Sequence, residues 1–254
     1  MPELVQACAA AVQRGDPDRF LSAMSAPVDQ RGSLLVLYAF NLEIVRAPWV
    51  TKEALIAEMR LQWWLDAIDE IYAGQIPKGH QVVTPLADVI KQHSLPKELF
   101  QQLISARKWD IYADPHADAF AFEDYMRATA GNLMALCACT LGGCDLDKAI
   151  EFGYGDGIAR LFRAIPALEN AQKTPLIDGR GVAIARLAKR ALGALDAGAS
   201  RDRRVFPAYR AAWMARPVLR RVLKDPASVS TDDLHFSPFG TKMRLISKVF
   251  LGRY

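Results

Sequence analysis

Apolar residues recur every three to four positions along nearly the whole chain, and no stretch keeps the two-residue alternation of a half-buried strand. The pattern predicts helices over residues 2–14, 17–24, 28–46, 51–74, 85–93, 96–112, 120–141, 146–170, 181–197, 206–223 and 238–251. Punctuation supports several boundaries. Gly15 stops the first helix, and Asp16-Pro17 is a cap followed by proline at the first helical position. Pro48 breaks the third, and Thr51 is placed to cap the long helix that ends at Gly74.

Two of these segments, Leu34 to Phe40 and Leu133 to Leu141, are apolar over more than one stripe. Helices apolar all round belong inside a multi-helix assembly. The connections are short and carry Pro, Gly, Ser or Asp, with no long linker, charge block or repeat dividing the chain. The expectation is an all-α fold, one domain over residues 1–254, with helices arranged around a central cavity.

Composition narrows the function classes. Of 254 residues, 51% are hydrophobic and 24% charged, ordinary for a globular protein. A net charge of +4 permits attraction to phosphates or an anionic surface but falls short of a nucleic-acid binder. Cys8, Cys137, Cys139 and Cys144 include no CxxC pair, and His80, His93, His116 and His235 are scattered, so free thiols are expected rather than zinc or disulfides. With no signal-peptide pattern near Glu3 and no full membrane span, the expected location is cytoplasmic.

Acidic residues four apart on a helix share a face and could hold Mg²⁺. Asp110, Asp114 and Asp118 have that spacing, but Pro115 ends the helix there and a solvated helix end accounts for them. Asp66, Asp69 and Glu70 read as solvated charges beside a core-facing Trp63-Trp64 pair. The segment from Phe239 to Tyr254 combines Lys242, Arg244, Lys248 and Arg253 with apolar residues, a pattern suited to an anionic membrane surface, a partner, or packing on the domain itself.

Several motifs, in order and spacing, resemble those of the squalene/phytoene synthase family over most of the chain. Leu37-Tyr38-Ala39-Phe40 is similar to the start of its first signature, and Glu58-Met-Arg-Leu-Gln-Trp-Trp64 with Tyr72-Ala73-Gly74 to the tryptophan helix that follows. Tyr125 with Ala130-Gly131-Asn132 is similar to its Tyr…Ala-Gly segment, and Gly157-Ile158-Ala159 through Arg163 to its second signature. The resemblance implies an isoprenoid-synthase-like bundle. In active members, two acidic signatures facing one cavity hold Mg²⁺ ions that help ionise the diphosphates of two prenyl substrates.

Carried onto this chain, the first acidic positions fall on Val45, Arg46 and Trp49, and the second pair on Ala164 and Leu168. The glutamine position is Arg160, and Arg163 keeps the arginine of an Arg-Asp pair whose aspartate is gone. Glu43 lies roughly 200° around the helix from Val45, and Glu169 roughly 100° from Leu168, so neither substitutes in register. Arg46, Arg160 and Arg163 would repel Mg²⁺ but suit an anion, or else form structural ion pairs.

The altered pattern is more similar to the family's non-synthase branch, which includes the mitochondrial assembly factor for respiratory complex I and its bacterial relatives. This implies a retained fold, no catalytic residues, no metal ligands or cofactor, and a role in building NADH:quinone oxidoreductase at the inner face of the membrane. The candidate cavity lining is Tyr38, Asn41, Val45, Arg46, Trp49, Asn132, Arg160 and Arg163. Expected partners are complex I subunits or assembly intermediates, an isoprenoid or other anionic lipid, and a membrane surface, with no nucleic acid. The rival readings are a working head-to-head prenyl transferase using Mg²⁺ and prenyl diphosphates, and a plain lipid carrier.

Overall fold

The computed structural model describes residues 2–51, 53–75, 79–112, 114–143, 145–231, 234 and 236–254. Its helices, in chain order, are α1 (Pro2–Gly15), α2 (Pro17–Met24), α3 (Val28–Arg46), α4 (Ala54–Tyr72), α5 (Val83–His93), α6 (Lys97–Ala106), α7 (Ala119–Met126), α8 (Asn132–Cys139), α9 (Leu146–Asn170), α10 (Gly181–Ala197), α11 (Phe206–Tyr209), α12 (Ala215–Lys224) and α13 (Pro238–Phe250). No strand occurs among the described residues. The expected all-α architecture stands.

Local chemistry explains several starts. Asp16, Asp118, Asp145 and Ser237 each cap a helix by accepting a backbone N–H near its first turn, on Arg19, Ala121, Lys148 and Gly240 respectively. Pro17 and Pro238 occupy first helical positions, where the missing N–H costs nothing. Thr51 is not the cap of α4. Its Oγ1 accepts from Glu53 N in a local turn, and the helix begins only at Ala54.

Three expected helices are interrupted. The helix expected over 96–112 ends at Ala106 and tightens into a 3₁₀ segment (Arg107–Ile111). The one over 120–141 is split by a turn of π-helix (Arg127–Gly131), and the one over 206–223 by a 3₁₀ turn (Arg210–Ala212). Periodicity cannot distinguish these from continuous helix, because segments of three to five residues are too short to establish a period of their own.

Central α3 is buried continuously from Leu34 to Leu42, and α8 from Asn132 to Ala138. Phe40 anchors this core edge-on to Trp64 of α4 and Phe100 of α6, with ring centroids 5.3 and 5.4 Å apart. The Trp63-Trp64 expectation needs correction: Trp64 is buried, but Trp63 is 42% exposed and lies against His80.

Helix α9 carries glycines at 153, 155 and 157 because it is approached from two sides. A Cβ on Gly153 would meet the Ala130 carbonyl at 2.6 Å, and one on Gly155 would meet Leu195 of α10 at 2.6 Å. These close approaches lock α9 between the π turn and α10. Cys8 and Cys137 are buried free thiols and Cys139 is partly buried, while Cys144 and His235 lie outside the described residues. No described helix is long and apolar enough to cross a membrane.

Candidate functional site

A chamber of about 380 Å³ opens between the C-terminal half of α3, the start of α2, the Arg107–Ile111 segment, the π turn and the middle of α9. Val45 and Trp49 stand in its wall on one side, and Ala164 and Leu168 on α9. These are four of the five positions where the family resemblance places carboxylates. Asn41, Gly157 and Arg160 line the same space.

Of the expected lining residues, Asn41, Val45, Trp49 and Arg160 meet at the chamber, and the other four do not. Tyr38 is 2% exposed and packed beneath it, with the Arg19 guanidinium 5.6 Å from its ring centroid. Arg46 is one turn-step off Val45 and exposed. Asn132 is buried and donates to Gln102 Oε1 at 2.9 Å, beside a separate surface hollow. Arg163 turns away to pair with Asp18, Nη1 to Oδ2 at 2.7 Å.

The chamber's polar groups come in two clusters. In the first, Arg160 donates Nε to Asp156 Oδ2 at 2.7 Å, Nη1 to Asp16 Oδ2 at 3.3 Å and Nη2 to the Ala211 carbonyl at 2.9 Å. Asp16 also accepts from Arg19 Nη1 at 2.9 Å. Burial alone would raise the Asp16 pKa, but Arg160 and then Arg19 outweigh it and hold the carboxyl at about 2. Burial likewise opposes the Arg160 charge, and Asp156 and Asp16 overcome it, so its pKa is raised.

In the second cluster, Arg107 Nη1 donates to Asp110 Oδ2 at 2.9 Å and to Tyr125 Oη at 2.7 Å, while Tyr125 donates to Asp110 Oδ1. Burial drives the Tyr125 pKa well up, and Arg107 opposes it only in part. Asp110 is an ion-paired, mostly buried carboxylate rather than a solvated helix end, whereas Asp114 and Asp118 are exposed. His116 stacks on Trp109 with centroids 3.8 Å apart, and burial lowers its pKa despite Asp110. Lys173 Nζ donates to the carbonyls of Asp110 at 2.8 Å and Tyr112 at 3.1 Å and lies 5.8 Å from the Trp49 ring centroid.

Sequence reasoning passed over Arg19, Arg107, His116 and Lys173 as site residues. The one local signal was the Arg107/Asp110 spacing of three.

The Mg²⁺ cluster that the fold implies does not fit these residues. The lining holds Arg19, Arg107, Arg160 and Lys173 against two carboxylates, Asp16 and Asp110, each already bonded to a guanidinium. Among the described residues no group of three or more His, Cys, Asp or Glu is placed to share a cation. Asp66 instead accepts from Gln62, and Asp69 from Lys97 and Gln101. A cationic wall repels a divalent ion and attracts an anion.

An apolar shelf adjoins the mouth. Trp49, itself 49% exposed, is followed by Val50 at 56%, and nearby α4 presents Leu55 at 68% and Met59 at 63%. Tyr112 ties the shelf together by donating to Glu58 Oε1 at 2.6 Å.

The fold has counterparts among known proteins. A dehydrosqualene synthase solved with a ligand superposes with a TM-score of 0.79 at 13% identity, covering 98% of this chain and 96% of that one. A squalene synthase from Alicyclobacillus acidocaldarius gives 0.64 at 18% identity, with 98% and 94% covered. At such identities the likeness shows the isoprenoid-synthase fold. In sequence, the NADH dehydrogenase (ubiquinone) complex I assembly factor 6 of Homo sapiens is 28% identical over 163 residues, 63% of this chain and 48% of that protein. Its Drosophila melanogaster homolog is 29% identical over 182 residues, covering 67% and 53%. The match thus spans about half the length of these curated relatives. The squalene/phytoene synthase profile matches residues 12–176, and the chain belongs to that family.

Proposed function

We propose that this protein is an assembly factor for NADH:quinone oxidoreductase, and that its chamber binds an isoprenoid-like or other anionic amphiphile without converting it. The observation that carries the reading is the chamber wall: Val45, Trp49, Ala164 and Leu168, the positions onto which the family resemblance carries the acidic signatures, line it with apolar side chains. A departing diphosphate gathers negative charge that metal-bound carboxylate sites help neutralise. Aliphatic and indole side chains cannot do that.

Size supports binding over coupling. A volume of about 380 Å³ lies near the lower end of single-ligand pockets. It suits one chain rather than the two that a head-to-head transferase joins. The chamber's four cationic side chains favour an anionic head, and the shelf formed by Val50, Leu55 and Met59 gives the apolar part an approach. Complex I subunits or assembly intermediates are the partners that the similarity to the named assembly factors supports. The test is a deletion strain. Loss of assembled NADH:quinone oxidoreductase, restored by the wild-type chain, is the expected result; normal levels of the assembled enzyme contradict the role.

A further inference from the structure

Helix α13 turns its apolar face outward. Phe239, Met243, Ile246 and Phe250 follow one another at intervals of four, three and four, which aligns them in a single stripe along the helix. All four face solvent, with exposures of 76%, 46%, 57% and 89%. The helix is held to the domain from its other side, where Leu245 is buried against Trp213 and Met214. A helix that merely completed the core would bury the stripe and expose the rest.

The charged side chains of the α13 segment itself have one sign. Residues 237–254 contain Lys242, Arg244, Lys248 and Arg253 and no Asp or Glu. Between α12 and α13 a hollow of about 430 Å³ is walled by Arg216, Arg220, Arg244 and Lys248, again with no carboxylate in its lining. Burial, and then the nearby Arg216, Arg244 and Arg253, bring the Lys248 pKa down to about 8.

We propose that α13 docks on the surface of a bilayer containing anionic phospholipids, with Phe239, Met243, Ile246 and Phe250 entering the acyl boundary and Lys242 and Arg244 engaging headgroup phosphates. A ridge of bulky side chains on a convex helix fits a fluid surface, which closes around it. A second copy is a poor occupant, because pairing the two ridges sets four cations against four. An anionic surface neutralises them, each cation adding roughly fivefold to partitioning. This docking goes beyond the chamber's role and does not depend on it.

The test is cosedimentation of the full chain with vesicles of phosphatidylcholine alone or mixed with phosphatidylglycerol. Expected is at least about tenfold stronger partitioning onto the mixed vesicles, weakened by added salt. The double variant Phe239→Ser/Phe250→Ser, and separately Lys242→Glu/Arg244→Glu, should each lose about tenfold or more while melting like the wild type. Wild-type partitioning by a well-folded Phe239→Ser/Phe250→Ser chain overturns the proposal. So does absence of binding to mixed vesicles, including the case where the stripe instead mediates self-association or capture of an acidic protein.

Discussion

Arg160 on α9 reaches Asp16 at the cap of α2, Nη1 to Oδ2 at 3.3 Å, across 144 positions of sequence. The same guanidinium holds Asp156, whose side chain is 6% exposed. One arginine therefore joins the wall that replaces the family's glutamine position to the N-terminal helices. It is a structural tie as well as one of the chamber's cations.

Replacing Arg160 by Met should leave Asp156 buried and uncompensated, costing about 3 kcal/mol. Adding Asp156→Asn should recover part of that loss. A double-mutant cycle by urea denaturation measures the coupling, and strict additivity would show that the pair is not one unit.

Acid should loosen the same junction. Asp16 is held at about 2 against an ordinary 3.8, so the folded state binds its proton less readily than the unfolded chain. Its contribution is complete above about pH 4 and disappears as pH falls through 2, on the order of 2 kcal/mol in all. Melting curves between pH 5 and 2 should show a shallower slope for Asp16→Asn than for the wild type. Parallel slopes would place the titration elsewhere.

Gly153→Ala places a methyl against the Ala130 carbonyl at 2.6 Å and the Gly131 Cα at 2.8 Å, both backbone atoms. With no flexible side chain to yield, the cost should be about 2 kcal/mol, a Tm drop of roughly 4–8 °C. Gly193→Ala, where a Cβ meets nothing within 4 Å, is the matched control and should not lower Tm. Calorimetry of the two variants decides it.

Arg163 and Trp49 separate binding from scaffolding. Arg163 is tied to Asp18 outside the chamber, whereas Trp49 forms its wall. With farnesyl diphosphate as probe, Trp49→Ala should change affinity severalfold and Arg163→Ala should leave it unaltered, read by isothermal titration. A weakened Arg163→Ala would move the ligand to the α2–α9 side.

Much of this was legible in the chain. The all-round apolar runs around Leu37 and Leu136 marked the central helices, and the register carried from the resemblance put Val45, Trp49, Ala164 and Leu168 around one cavity. What sequence hid was tertiary pairing. Asp110 read as solvated because Pro115 follows it, yet Tyr125, fifteen residues on, closes over it together with Arg107. Lys173 carried no motif, since its partners are backbone carbonyls of residues 110–112. Arg163 looked equivalent to Arg160, but at three residues' spacing it lies far enough around α9 to meet Asp18 instead.

The central claim is that this family fold has kept a chamber and lost its ionising machinery. Purified protein incubated with Mg²⁺ and farnesyl or geranylgeranyl diphosphate tests it, by measuring diphosphate release and C30 or C40 product. The account predicts release no faster than in protein-free buffer. Sustained turnover, with Mg²⁺ required, would contradict it.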